Sequence, residues 1–164
     1  MSSLAEAAVQ ADALAEEGKE RELADLRRQW EQEVEGNARS PDYRERAIAY
    51  RAIGQFRFRQ KIELLGRGLD DESPACRGSA LISLELLSRD APGAVNSLRP
   101  DLHRLANSDE NQAVRRLAIV TLRNGSPHRD TIVLLEGLGE DDRLERELRE
   151  TASKIAAGLK KKGR

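Results

Sequence analysis

The sequence predicts an all-α fold, a right-handed α-solenoid of about four helical hairpins. Three observations predict it. Ala, Leu, Glu and Arg are plentiful while Val and Thr are sparse, which favours helix over sheet. Apolar residues recur at spacings of three and four along segments that begin with capping residues. A short pattern also returns four times at a nearly constant interval, the signature of stacked repeats.

Residues 4–35 read as helix. Leu23, Leu26, Trp30 and Val34 fall on one face, and Gly18 divides the stretch. Before Gly18 the apolar side is mostly Ala, with Leu4 and Leu14; Gly36-Asn37 ends the helix. Three serine-proline pairs come next, Ser40-Pro41, Ser73-Pro74 and Ser126-Pro127. Serine suits the N-cap because its oxygen accepts from an orphan N–H, and proline suits the first helical position because its missing N–H is not needed there. Pro92 marks another start, and Asp109 to Gln112 has capping-box spacing. The expected helices are therefore 4–35, 41–55, 57–69, 74–89, 92–107, 111–124, 127–138 and 143–160. The run Thr131–Leu135 would suit a strand but lies inside a longer capped helical stretch. The expected division is an acidic N-terminal helix over 1–36, acting as cap or docking helix, and repeats over 37–164 with a short basic tail.

Four segments align: Tyr43-Arg44-Glu45-Arg46-Ala47, Cys76-Arg77-Gly78-Ser79-Ala80, Val114-Arg115-Arg116-Leu117-Ala118 and Leu148-Arg149-Glu150-Thr151-Ala152. Each reads bulky, Arg, any, any, Ala, and the arginines step by 33, 38 and 34. The bulky residue and the Ala are four apart and share a buried helix face. Ala is small where neighbouring helices approach, and stacking supplies the core that one hairpin lacks.

With its acidic turn before bulky-Arg-x-x-Ala, the chain resembles the HEAT-repeat family, in particular short bacterial HEAT-like repeats similar to those of phycobilisome lyases. The resemblance covers residues 40–160. It implies a hydrogen-bonded Asp–Arg ladder between repeats, carried here by Asp71, Arg77, Asp109 and Arg115, each acid six residues before its arginine. It implies scaffold or adaptor work, with the second helices lining a concave side. Arg51, Leu84 or Glu85, Arg123 and Lys154 then lie towards the ends of those helices.

Several classes of function are disfavoured. Lys and Arg total 28 against 29 Asp and Glu, a net charge of -1, which argues against a general polyanion binder but leaves room for a local patch. Cys76 is the only cysteine, so no internal disulfide forms. The first residues show no signal-peptide pattern, and no apolar run approaches the ~20 residues of a spanning helix. The expectation is a cytoplasmic protein that does not engage a membrane. His103 and His128, both expected at the surface, lack ligand-spaced partners, and Gly66-Arg67-Gly68 lacks the rest of a nucleotide loop. No catalytic residue, metal or cofactor is expected.

Charge is segregated, however. Residues 4–35 hold ten acids and four bases, while residues 36–69 hold eight bases and three acids. All five aromatics, Trp30, Tyr43, Tyr50, Phe56 and Phe58, lie in or beside the basic stretch. This supports two readings. Structurally, the acidic helix lies on the basic repeat and the aromatics seal one end of the solenoid. Functionally, Trp30, Arg44, Arg51, Arg57, Arg59 and Lys61 form a partner-binding surface, since arginine with aromatics is the composition of a hot spot. The expected function is a non-catalytic adaptor that binds another protein. The alternative is nucleic-acid binding through the Arg/aromatic segment 43–61.

Overall fold

Glycine at position 18 ends the first helix, α1 (Leu4–Glu16), by adopting φ +73. The Lys19 amide then donates to the Leu14 carbonyl at 2.9 Å and the Gly18 amide to the Ala15 carbonyl at 3.1 Å, the paired bonds of a Schellman cap. The expected single helix over 4–35 is thus two, and α2 (Glu20–Ala38) packs back against α1. This computed structural model describes residues 2–164, which hold ten α-helices, one 3-10 turn and, among the described residues, no strand.

The chain forms two units, divided after Leu87. In the first, α1 and α2 do not stand apart from the chain after residue 38, because both pack against α3 (Tyr43–Gln55). A 3-10 turn (Arg59–Lys61), α4 (Ile62–Leu69) and α5 (Pro74–Ser88) complete it. Leu23, Val34, Tyr50, Ile53, Phe56, Phe58, Leu65, Leu69, Leu81 and Leu84 are buried there. Two helices approach closely at Gly54, whose amide donates to Ser83 Oγ at 3.0 Å while that hydroxyl donates to the Tyr50 carbonyl at 2.6 Å. A Cβ on Gly54 would lie 2.8 Å from Ser83 Cα, so glycine is required at this crossing.

The second unit, Ser88–Arg164, contains α6 (Pro92–Ser97), α7 (Arg99–Ser108), α8 (Gln112–Leu122), α9 (Arg129–Glu140) and α10 (Arg146–Lys162). The helix expected over 92–107 breaks at Leu98, because Pro100 has no N–H to donate back to Asn96. Thr131–Leu135 is helical, within α9.

Of the three serine-proline starts, only Ser73-Pro74 opens its helix directly. At the other two the helix begins later. Asp42 caps α3 through the Arg44 amide at 2.9 Å, and His128 caps α9 by accepting from the Asp130 amide at 3.2 Å. Asn111, not Asp109, caps α8.

The repeat arginines tie turns to helices. Arg77 donates to the carbonyls of Asp71 and Glu72 at 2.9 and 3.1 Å, and Arg115 to those of Ala106 and Asn107 at 3.0 Å each. In the first repeat this role belongs to Arg46, which donates to the Ser40 and Pro41 carbonyls at 3.0 and 3.1 Å. The register expected from Arg44 and Ala47 is therefore displaced by two residues. Arg46 and Ala49 also satisfy Arg-x-x-Ala, and Ala49 is buried as Ala80, Ala118 and Ala152 are, whereas Tyr43 is 46% exposed. Arg46 also grips the Asp71 carboxylate with two bonds, 2.9 and 3.1 Å, linking α3 to the turn before α5. Burial alone would raise the Asp71 pKa, but the Arg46 guanidinium and the Ser73 amide outweigh it and hold the carboxyl below its ordinary range.

Candidate functional site

Half of the cations of the basic stretch turn inward: Arg46, Arg51 and Arg57 are half-buried and Lys61 is buried. Arg57 donates to Asp12 at 2.7 Å and to Glu16 at 3.0 Å, both on α1. Lys61, its side chain only 6% exposed, reaches Glu31 at 3.0 Å and Glu35 at 2.5 Å on α2, with its ammonium 5.2 Å from the centre of the Phe58 ring. Burial disfavours the charged Lys61, yet the two carboxylates outweigh it and raise its pKa, while Lys61 lowers that of Glu35. These pairs explain the charge segregation: two cations hold two acidic helices. Tyr50, Phe56 and Phe58 belong to the core, the last two stacked with centroids 5.3 Å apart.

The remaining basic-stretch candidates are dispersed. Arg44 is exposed over the Tyr43 ring at one end of α3, and Trp30 is half-buried on α2. Arg59 lines a polar cleft of about 510 Å³ with Arg27, Arg57, Glu20 and Gln60. Arg51 is half-buried near the end of α3.

A second cationic grouping lies on α10. Leu148, Ala152, Ile155, Ala156 and Leu159 form its buried stripe. Lys154, Gly158 and Lys162 follow one another at i, i+4 and i+8 and so share a face. With Arg123, the C-cap of α8, they surround a groove of about 260 Å³ floored by Ile155 and Leu159. Gly158 leaves the groove open, since nothing lies within 4 Å of where its Cβ would be. Lys154 and Lys162 pair with no carboxylate among the described residues, whereas Lys160, pointing elsewhere, reaches Glu136 at 2.6 Å. From 151 to 164 the chain carries five cations and no acidic side chain. Cations at the ends of α8 and α10 also complement the negative poles of those helices.

Arg123 stands at a helix end as the resemblance implies, whereas Lys154, expected towards the end of its helix, lies midway along α10. The part taken by Lys162 was not legible, because a terminal basic run reads as a solvated tail. The apolar floor was hidden too, since Ile155 and Leu159 read simply as core positions of an amphipathic helix.

His103 departs from the expected surface position. It is half-buried, with Nε2 2.7 Å from the hydroxyl of buried Thr131, to which Arg99 Nε also donates at 3.1 Å. Burial lowers its pKa, helped by Arg99 and His128 and opposed by Asp130. Cys76 is fully buried, its thiol pKa raised chiefly by that burial, and donates to the Tyr43 carbonyl. Among the described residues no three His, Cys, Asp or Glu side chains converge as a metal site requires, and no helix is long and apolar enough to cross a membrane. Comparison with protein families, curated proteins and solved structures finds no match to this chain.

Proposed function

We propose that this chain is a non-catalytic adaptor that binds another protein, with its hairpins stacked as HEAT-like repeats in a right-handed solenoid. The observation that carries the reading is the α10 groove, where Arg123, Lys154 and Lys162 ring the apolar floor of Ile155 and Leu159. Its volume is below the range of about 300–1,000 Å³ typical of small-molecule sites. It suits a single aliphatic or aromatic anchor, flanked by acidic residues, on a protein partner. Arginine beside a buried apolar pocket is the chemistry of a hot spot.

Single-stranded nucleic acid is the poorer fit, because it is held by cations interleaved with aromatic stacking platforms. Residues 88–164 contain no Phe, Tyr or Trp, and the aromatics of the basic stretch are mostly buried.

The test places a photo-crosslinking phenylalanine derivative at Gly158, where a side chain meets open space. In nuclease-treated extract the expected product is a crosslink to a protein, lost when Lys154 and Lys162 are changed to Glu. A crosslink to nucleic acid, or a protein crosslink indifferent to the double charge reversal, refutes the proposal.

A further inference from the structure

Helices α1 and α3 end in the same cap, but with different residues at its left-handed position. After α3, the Phe58 amide donates to the Ile53 carbonyl and the Arg57 amide to the Gly54 carbonyl, each at 3.0 Å, repeating the bonds made around Gly18. Glycine ordinarily fills the left-handed position, because an L side chain there crowds its own backbone. Here Arg57 fills it, at φ 60, the only positive φ of a non-glycine residue among those described. Such a conformation persists when the surroundings hold it. The Arg57 guanidinium is held by the Gly54 and Gln55 carbonyls at 2.9 and 3.1 Å and by Asp12 and Glu16, which lie one turn apart on α1.

Next to this clamp is an incomplete one. Nη1 of Arg51 is buried and, among the described residues, has no hydrogen-bond partner. Burial lowers the pKa of that guanidinium, the charge of Asp12 opposes the shift and that of Arg57 adds to it, so the three groups share one electrostatic neighbourhood. The helix over them contributes a small apolar face of Leu4, Ala7, Ala8 and Ala11. It is joined to α2 by the short link 17–19, which turns at Gly18.

We infer that the surface beneath α1, centred on Arg51 and Arg57, is a receptor for an acidic helix, and that α1 is a resident occupant which an acidic helix of a partner protein displaces. The occupant defines the ligand: a face of small residues with two carboxylates one turn apart. The unmet Arg51 donor means that a partner helix offering a further acceptor fits the site better than α1 does. The tether supplies α1 at millimolar effective concentration, which keeps the site closed until such a partner is present. This inference is independent of the α10 groove and stands or falls separately.

The test uses the full chain and a fluorescein-labelled peptide of residues 2–19. Ala11 is fully buried, so Ala11→Arg lifts α1 without altering the receptor. The peptide is expected to bind A11R at least tenfold more tightly than the unmodified chain. Binding to A11R should be lost in the A11R/R57E double variant, and a peptide carrying Asp12→Lys and Glu16→Lys should not bind. A folded A11R that ignores the peptide, or binds it regardless of Arg57, overturns the inference. Should A11R fail to fold, hydrogen exchange on the unmodified chain decides. Excess unlabelled peptide should speed exchange of the α1 amides while α2 and α3 stay protected. If α1 exchanges only together with α2 and α3, and the peptide changes nothing, the site is not exchangeable and the inference is wrong.

Discussion

Replacing Arg57 by Ala and by Gly separates two opposing contributions at one position. Arg57→Ala keeps a Cβ at φ 60 and removes the guanidinium. The two ion pairs are discounted for solvent, since the Asp12 and Glu16 side chains are 38% and 71% exposed, and contribute about 0.5 kcal/mol each. The bonds to the Gly54 and Gln55 carbonyls share one nitrogen and together contribute about 1.5 kcal/mol. The Ala variant should therefore lose about 2.5 kcal/mol. Arg57→Gly loses the same bonds but releases left-handed strain of about 1 kcal/mol, leaving a loss of about 1.5 kcal/mol. The assay is urea unfolding followed by Trp30, the only tryptophan, which reports on the first unit. Glycine should be the more stable variant by about 1 kcal/mol, or about 4–8 °C in melting temperature for a unit of this size. If Gly and Ala are equally unstable, strain at φ 60 plays no part. If Ala matches the unmodified chain, the guanidinium bonds hold nothing.

Three further outcomes are expected. The Asp71 carboxyl is held below its ordinary range by Arg46, so its contribution is present above the unfolded pKa, about 4, and is lost as pH falls through the lower folded value. Asp71→Asn should accordingly weaken the first unit at pH 7 and converge with the unmodified chain near pH 2; a gap of equal size at both pH values contradicts this. His103 is held neutral by burial, so the unfolded chain takes up its proton first as pH falls below about 6.5. Calorimetric melts of the second unit should shift down between pH 7 and pH 5, and His103→Gln should flatten that dependence; an unchanged slope removes His103 as its cause. Gly54→Ala should destabilise by about 1–3 kcal/mol because its methyl meets the backbone at Ser83. Gly139→Ala should be mild, because its methyl meets the terminal hydroxyl of exposed Ser153, which can rotate away. Equal thermal shifts for the two glycine variants would show that backbone contact is not the deciding feature.

The all-helical class and most helix positions are contained in the sequence, because capping and the i, i+4 burial rhythm act over a few residues. Ser73-Pro74 and the Ala80, Ala118 and Ala152 positions are legible for that reason. The opposite charges of residues 4–35 and 36–69 likewise announce that acidic helices could lie on a basic repeat. Tertiary structure decides which charges meet. Arg44 and Arg46 both satisfy Arg-x-x-Ala, and the contacts of Arg46 with the Ser40 and Pro41 carbonyls and with Asp71, 25 residues on, select Arg46. Arg57, Arg59 and Lys61 look alike as a basic run, yet Arg57 faces α1, Lys61 faces α2 and Arg59 lines a cleft. Lys154 and Lys162 share a face of α10 by helical spacing alone, but they meet Arg123 only once α10 has packed beside α8. A side chain's partner depends on elements distant along the chain, and local periodicity carries no record of them.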